Sequence, residues 1–367
     1  LNNSTTIPGL AQLFESDLEK VAFAYFRDPE DGQTRVWACL AESLVLIPGQ
    51  APFQSQLGEL NGFWMFPFDP SQPGYFLPET SVVSLEVLPK GDLGQSEAIS
   101  SEDVRHEKHH YEQIVAKAVA SIQSGLFKKL VVSRKENFPF SARNMSNFLD
   151  ALLEKYPQAN FSCFHIPGKG TWVSVSPELL AGFTRSTLKT MALAGTRFWE
   201  PERTDLNSWM PKEQQEQELV SVYIREALSD LGLGAVKEEG PYSVQAGHLM
   251  HLRTDFQVKA SQPETGLRLA LRIHPTPAVC GIPEKNAMTW LRKEEGYDRG
   301  FFSGFSGYIS ENQSRFVVNL RTACFQYGKI SLFAGAGITA LSNPEAEWEE
   351  TSSKLKTLKA FLPSQME

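Results

Sequence analysis

Cysteine is scarce in this chain, with four in 367 residues, and Cys39, Cys163, Cys280 and Cys324 lie far apart without a Cys-x-x-Cys pair. A disulfide framework is therefore not expected, and the pattern suits buried free thiols in a reducing compartment. Long apolar runs are missing as well: none approaches the roughly 18 residues needed to cross a bilayer. The start, Leu1-Asn-Asn-Ser-Thr-Thr, has neither the basic head nor the apolar stretch of a signal peptide, so a cytoplasmic protein is expected. Blocks of one charge sign are also absent. The net charge of -8 is spread along the chain, which argues against a nucleic-acid groove or a membrane-surface helix and leaves a small-molecule partner. No internal repeat or low-complexity tract interrupts the sequence.

What is present in quantity is apolar surface: 41% of residues are hydrophobic, enough for a substantial core. Val21 to Phe26 and Thr34 to Leu40 flank the turn residues Asp28-Pro-Glu-Asp-Gly32 and predict a hairpin, so the N-terminal part is β-rich. Between Leu88 and Arg105 the sequence turns polar, with glycine, proline and serine, and reads as a linker or long loop. Tyr111, Ile114, Val115, Ala118, Val119 and Ile122 then recur at helical spacing, ending at Gly125. Further strands are predicted at 128–134, 160–166, 172–176, 314–322 and 329–334, with helices at 145–156, 212–231, 285–295 and 344–361. Strands in clusters with helices between some of them favour an α+β fold with large antiparallel or mixed sheets over a strictly alternating parallel one.

Two acidic pairs carry the chemistry. Glu213 and Glu216 open the helix at Lys212, and Glu347 and Glu350 open the C-terminal one after a glycine turn, Phe333-Ala-Gly-Ala-Gly-Ile. Residues three apart share a helix face, about 5 to 6 Å between Cβ atoms, where like charges repel. Acids in a first helical turn also complement the macrodipole and face water. Two pairs of matched spacing favour a hard cation, and Mg2+ suits a few carboxylates plus waters and substrate oxygens. Glu216 continues the expected buried stripe of Leu219, Val220, Tyr223, Ile224 and Ala227, while Glu347 and Glu350 flank the side marked by Trp348, Leu355, Leu358 and Leu362. Ser342 to Glu345 has the form of a capping box.

Lys129 shares a strand face with Val131 and Ser133 by alternation. A lysine acts as a base near neutrality only where desolvation or cationic crowding depresses its affinity for the proton, and a snorkelling lysine at a strand edge is the alternative. Glu178, in Ser176-Pro-Glu178 among aliphatics, is a candidate proton donor if desolvation keeps it neutral, or else a helix-start charge. His106, His109 and His110 beside Lys108 read as a solvated face. Gly335-Ala-Gly337 only loosely matches a dinucleotide fingerprint and lacks the acid that would bind the ribose.

Taken in order, Lys129-Leu-Val-Val-Ser-Arg134, Ser176-Pro-Glu178, Leu193-Ala-Gly-Thr-Arg197, the Lys212 to Glu216 helix, His248-Leu, His274-Pro-Thr-Pro-Ala-Val-Cys-Gly281, Arg299 to Gly307, Asn319-Leu-Arg-Thr-Ala323 and the C-terminal glycine and acid segment resemble the chorismate-utilising enzyme family. The resemblance runs from about Ser101 to Leu362 and is specific; the family includes isochorismate, salicylate, anthranilate and aminodeoxychorismate synthases. It implies large sheets packed face to face with helices outside. Residues 1–100 correspond to the variable β-rich part and 101–367 to the catalytic region of one compact domain. Within the family a lysine at Lys129 goes with water as nucleophile, and Ala194 stands where aminodeoxychorismate synthases often have a nucleophilic lysine.

The implied roles are Lys129 as base for a water attacking C2 of chorismate, and Glu178 as acid for the departing C4 hydroxyl. Glu216 and Glu350 would hold Mg2+, supported by Glu213 and Glu347. Arg321 would take the enolpyruvyl carboxylate, and Gly195, Thr196, His248, Gly335, Gly337 and Lys354 would line the pocket. Phe302 replaces the tyrosine many members carry before Ser-Gly, so a hydroxyl contact to substrate is missing. The resemblance thus points to a Mg2+-dependent isochorismate synthase for menaquinone, with a siderophore-pathway enzyme or a salicylate synthase as alternatives. A monomer without a glutamine amidotransferase subunit is expected.

Overall fold

The structure is a computed structural model and describes residues 10–49, 60–82, 104–247 and 249–363. The N-terminal part supplies α1 (Leu10–Glu15), β1 (Val21–Arg27), β2 (Thr34–Leu40), β3 (Val45–Ile47), β4 (Gly62–Phe66) and β5 (Gly74–Pro78). The middle supplies α2 (Val104–Gln123), β6 (Lys129–Pro139), α3 (Met145–Lys155), β7 (Asn160–Ile166), β8 (Gly170–Ser176), β9 (Leu179–Thr184), β10 (Thr187–Phe198), α4 (Pro211–Asp230), β11 (Lys237–Ala246) and β12 (Leu249–Lys259). The rest comprises α5 (Glu264–Ile273), β13 (Gly281–Ile282), α6 (Glu284–Glu294), β14 (Phe305–Ser310), β15 (Gln313–Val318), β16 (Thr322–Gln326), β17 (Lys329–Ile338) and α7 (Pro344–Lys359).

The strands form two sheets, in the orders β13-β6-β17-β16-β8-β7-β1-β2 and β11-β12-β10-β9-β15-β14-β4-β5-β3. Neighbours pair antiparallel, as at Val21↔Leu40 in the expected N-terminal hairpin and Gly337↔Val131 across β6 and β17. The fold is α+β. Alternation explains the layering: Ala22, Ala24, Phe26 and Phe164 of the first sheet meet Phe63, Met65, Tyr308 and Val317 of the second in a shared core. The opposite face of the first sheet is covered by α1, α3 and α7, and that of the second by α4 and α5. The two sheets therefore lie face to face with helices outside. The four cysteines are free and buried. Among the described residues no helix is long and apolar enough to cross a membrane.

Four local expectations need correction. The segment 314–322 is not one strand, because it breaks after Val318 and Arg321 adopts a left-handed backbone, φ 47. Asn343, not Ser342, caps α7, its side chain accepting from Ala346 N at 3.1 Å, with Pro344 in the first turn. The glycines at 335 and 337 lie inside β17 rather than in a turn. Fourth, β10 and β12, the long strands that build one wall of the site, and β11, which pairs with β12, were not expected; β11 is mostly exposed and polar, so it carries no apolar alternation. The expected linker falls largely on residues 83–103, outside the described residues.

Candidate active site

Where β6 and β17 face β10 and β12, the molecule holds a cavity of about 750 Å³, part of it open to solvent. Glu178, Gly195, Thr196, Glu216, Arg321, Gly335, Gly337 and Lys354 all line it. Six separate segments therefore converge as expected. Phe302 also lines it, stacked on Phe333 with ring centroids 5.4 Å apart, so the wall where a tyrosine hydroxyl was missed is apolar.

Alternation along β6 is as expected. Val131 lines the cavity, Ser133 on the same face donates to Glu295 at 2.9 Å, and Lys129 is completely buried. Its Nζ lies 2.9 Å from Glu216 Oε1, an ion pair whose angles fall short of a hydrogen bond. Glu216 thus stands between Lys129 and the open space. Burial opposes its charge, but Lys129 and Lys212 hold its carboxyl below the usual range. Gly337 explains how the carboxylate fits: a Cβ there would come within 2.1 Å of Glu216 Oε1. Gly337→Ala is therefore expected to push Glu216 off Lys129, and removing a partner from a buried pair costs roughly 3 to 5 kcal/mol. A thermal melt should fall by several degrees, whereas Gly335→Ala, whose Cβ would make only ordinary contacts from 3.4 Å, should melt near the unaltered protein. Equal melts for the two variants would contradict the fit.

Glu178 follows β8 and is buried. Desolvation raises its carboxyl to about 8, with Lys129 acting in the opposite direction. A neutral acid near pH 7 results, the state a proton donor needs.

The two acidic helices do meet. Lys212 Nζ of α4 donates to Glu347 Oε1 of α7 at 2.6 Å, and Lys354 Nζ donates to Glu350 Oε1 at 2.8 Å and to Gly335 O at 2.9 Å. Three lysines thus pair with three of the four glutamates. Burial and then mainly Glu350 raise Glu347; burial, against Lys212, raises Glu213. Glu213 Oε2 and Glu347 Oε2 are buried without a hydrogen-bond partner. Two orphaned carboxylate oxygens among crowded like charges fit a divalent cation. No three acidic, histidine or cysteine side chains form a ready-made cation cage among the described residues.

Thr196 sits beyond a bulge in β10 at Gly195, where φ is 72 and a Cβ would press on Glu213 Cβ at 3.0 Å. Opposite it in β12 is His251, a pocket residue that the sequence reading passed over in favour of His248, which lies outside the described residues. His251 Nδ1 is 3.0 Å from Gly195 O and 3.3 Å from Thr196 Oγ1. A carbonyl only accepts, so Nδ1 carries the proton and Nε2 is a bare acceptor. Burial, helped by Arg321 and Lys354, lowers the ring to about 3, and Nε2 has no protein partner. Arg321 is pushed down to about 10 by burial and donates through Nη2 to Ala246 O at 3.0 Å.

A cavity combining a neutral carboxyl, a buried lysine–glutamate pair and two facing acidic helices on paired antiparallel sheets defines the class. The sequence pattern of the chorismate binding enzymes matches residues 81–363, and the chain belongs to that family. It is 32% identical over 308 residues to isochorismate synthase EntC of Escherichia coli, covering 80% of this chain and 78% of the relative. Anthranilate synthase component 1 of Saccharolobus solfataricus is 29% identical over 283 residues, 74% of this chain and 66% of that one. Among solved structures, DhbC of Bacillus anthracis, assigned as a 2,3-dihydroxybenzoate-specific isochorismate synthase, superposes with a TM-score of 0.77 at 26% identity, covering 96% of this chain and 99% of that one.

Proposed function

We propose that the protein is an isochorismate synthase, adding water at C2 of chorismate while the C4 hydroxyl leaves. The observation that carries this reading is Glu178, a buried carboxyl raised to about 8 that opens on the same cavity as the Lys129-backed Glu216. Once the Glu216 carboxylate has turned away, Lys129 gives its own proton to solvent, and the neutral amine then takes one from the attacking water as the new bond forms at C2. The ring double bonds shift, the C4–O bond breaks, and Glu178 gives its proton to the departing oxygen, so one water enters and one leaves.

Glu216 and Glu350 would hold Mg2+, with Glu213 and Glu347 in support. When bound, the ion supplies charge neutralisation and a fixed position for the ring carboxylate. Lys129 Nζ faces the water only once the Glu216 carboxylate has turned from it. Arg321 binds the enolpyruvyl carboxylate, and His251 Nε2 accepts from a substrate hydroxyl. Lys129 and Ala194 favour water, not an amine, as nucleophile, and Phe302 weighs against the salicylate alternative. The enzyme works as a cytoplasmic monomer in menaquinone biosynthesis.

Incubating the protein with chorismate and Mg2+ and separating the products by chromatography tests the reading. Isochorismate is expected. Accumulating fluorescent salicylate would instead assign a salicylate synthase, and anthranilate formed with ammonia would overturn water as nucleophile.

A further inference from the structure

A second cavity, about 1370 Å³ including open solvent, abuts the active site and shares Pro177, Leu193 and Arg321 with it. Its outer wall comes from the end of α3 and the turn joining β11 to β12, with Tyr156 and the Val244 to Gly247 segment facing the shared residues. Arg321 stands in this partition, its left-handed backbone and its bond to Ala246 O fixing the guanidinium between the two spaces.

The charge of the outer cavity is unlike that of the chain. In a protein of net charge -8, Lys155, Arg253 and Arg321 line it and, among the described residues, no carboxylate does. Asp255 pairs with Arg253 at 2.7 Å but is not part of the lining. A neighbouring cavity elsewhere on the second sheet shows the contrast, with Asp28, Glu30 and Asp31 set against Arg185, Lys189 and Arg315. A concave wall of one sign concentrates the opposite ion from solution and raises its capture rate.

We propose that this outer cavity is the antechamber through which a small dicarboxylate reaches the active site, Lys155 and Arg253 drawing it in and Arg321 receiving one carboxylate at the partition. The proposal rests on the chorismate reading and extends it to two residues outside the catalytic cavity. Neither Lys155 nor Arg253 touches the reacting atoms; they act on the free anion, so the signature lies in kcat/KM and its dependence on salt.

The experiment measures kcat and kcat/KM for chorismate from about 0.01 M to about 1 M ionic strength, over which the screening length falls from about 30 to about 3 Å. Lys155→Glu, at an exposed helix end, is expected to lower kcat/KM at low salt by about fivefold while kcat is unchanged, and to converge with the unaltered enzyme at high salt. Lys155→Gln should fall between the two. Lys169→Glu, an equally exposed change of the same charge on a different cavity, should behave like the unaltered enzyme. Equal kcat/KM for Lys155→Glu and the unaltered enzyme at low salt overturns the antechamber. So does an equal loss from Lys169→Glu, which would assign the effect to net charge. Unaltered protein that leaves chorismate unconverted sinks the functional reading itself, a result distinct from either.

Discussion

Lys129→Met is expected to lower kcat for chorismate by about 10²- to 10⁴-fold, the range a positioned general base supplies, while KM stays within a few-fold. Methionine keeps an unbranched stem in a site with no exposure, so the packing around β6 is retained. What goes is the nitrogen 2.9 Å from Glu216 Oε1. Glu216 then loses one of its charge partners but keeps Lys212 and Lys354 nearby. Mg2+ affinity, read by calorimetry, should be little changed. The split matters, because a residue that merely propped Glu216 would disturb metal binding together with turnover. A kcat within a few-fold of the unaltered enzyme would remove Lys129 as the base.

The second large effect belongs to Glu178→Gln. The amide has the shape of the acid but no proton to give, so kcat should again fall by about 10²- to 10⁴-fold. Chorismate binding should survive. Glu178 also sets a pH limb: burial raises its carboxyl to about 8, and only the protonated form can donate. Activity due to this group is therefore full below about 8 and declines as pH rises through it, a limb that Glu178→Gln should abolish from whatever activity remains. Retention of that limb in the variant would point to another acid.

Much of this site was legible because helical spacing and strand alternation are local. Glu216, Val220, Ile224 and Ala227 do form one buried stripe of α4, and Lys129, Val131 and Ser133 do share a face of β6. The rest depended on distant partners. Gly337 reads as a turn glycine from its neighbours alone, but it is small because the Glu216 carboxylate, from another helix, occupies the space of its Cβ. His248 and His251 are three residues apart in one sequence, and only the pairing of Thr196 with His251 across β10 and β12 distinguishes them. Glycine spacing and side-chain type likewise say nothing of the break between Val318 and Thr322, where the left-handed backbone of Arg321 precedes the next strand and its guanidinium lies at the partition. The acidic pairs were visible, but not that Lys129, Lys212 and Lys354 each neutralise one of their members. Those pairings link segments more than 80 residues apart in the first two cases, beyond the reach of any local pattern.

The central claim is that a water from solvent becomes the new hydroxyl at C2 while a protonated Glu178 releases the old one from C4. Running the reaction in oxygen-18 water and reading the product by mass spectrometry tests it most directly. Isochorismate carrying one heavy oxygen, located at C2 by fragmentation, is the predicted result. Product with its original oxygen content would mean that the hydroxyl migrated within the substrate, and would contradict the account.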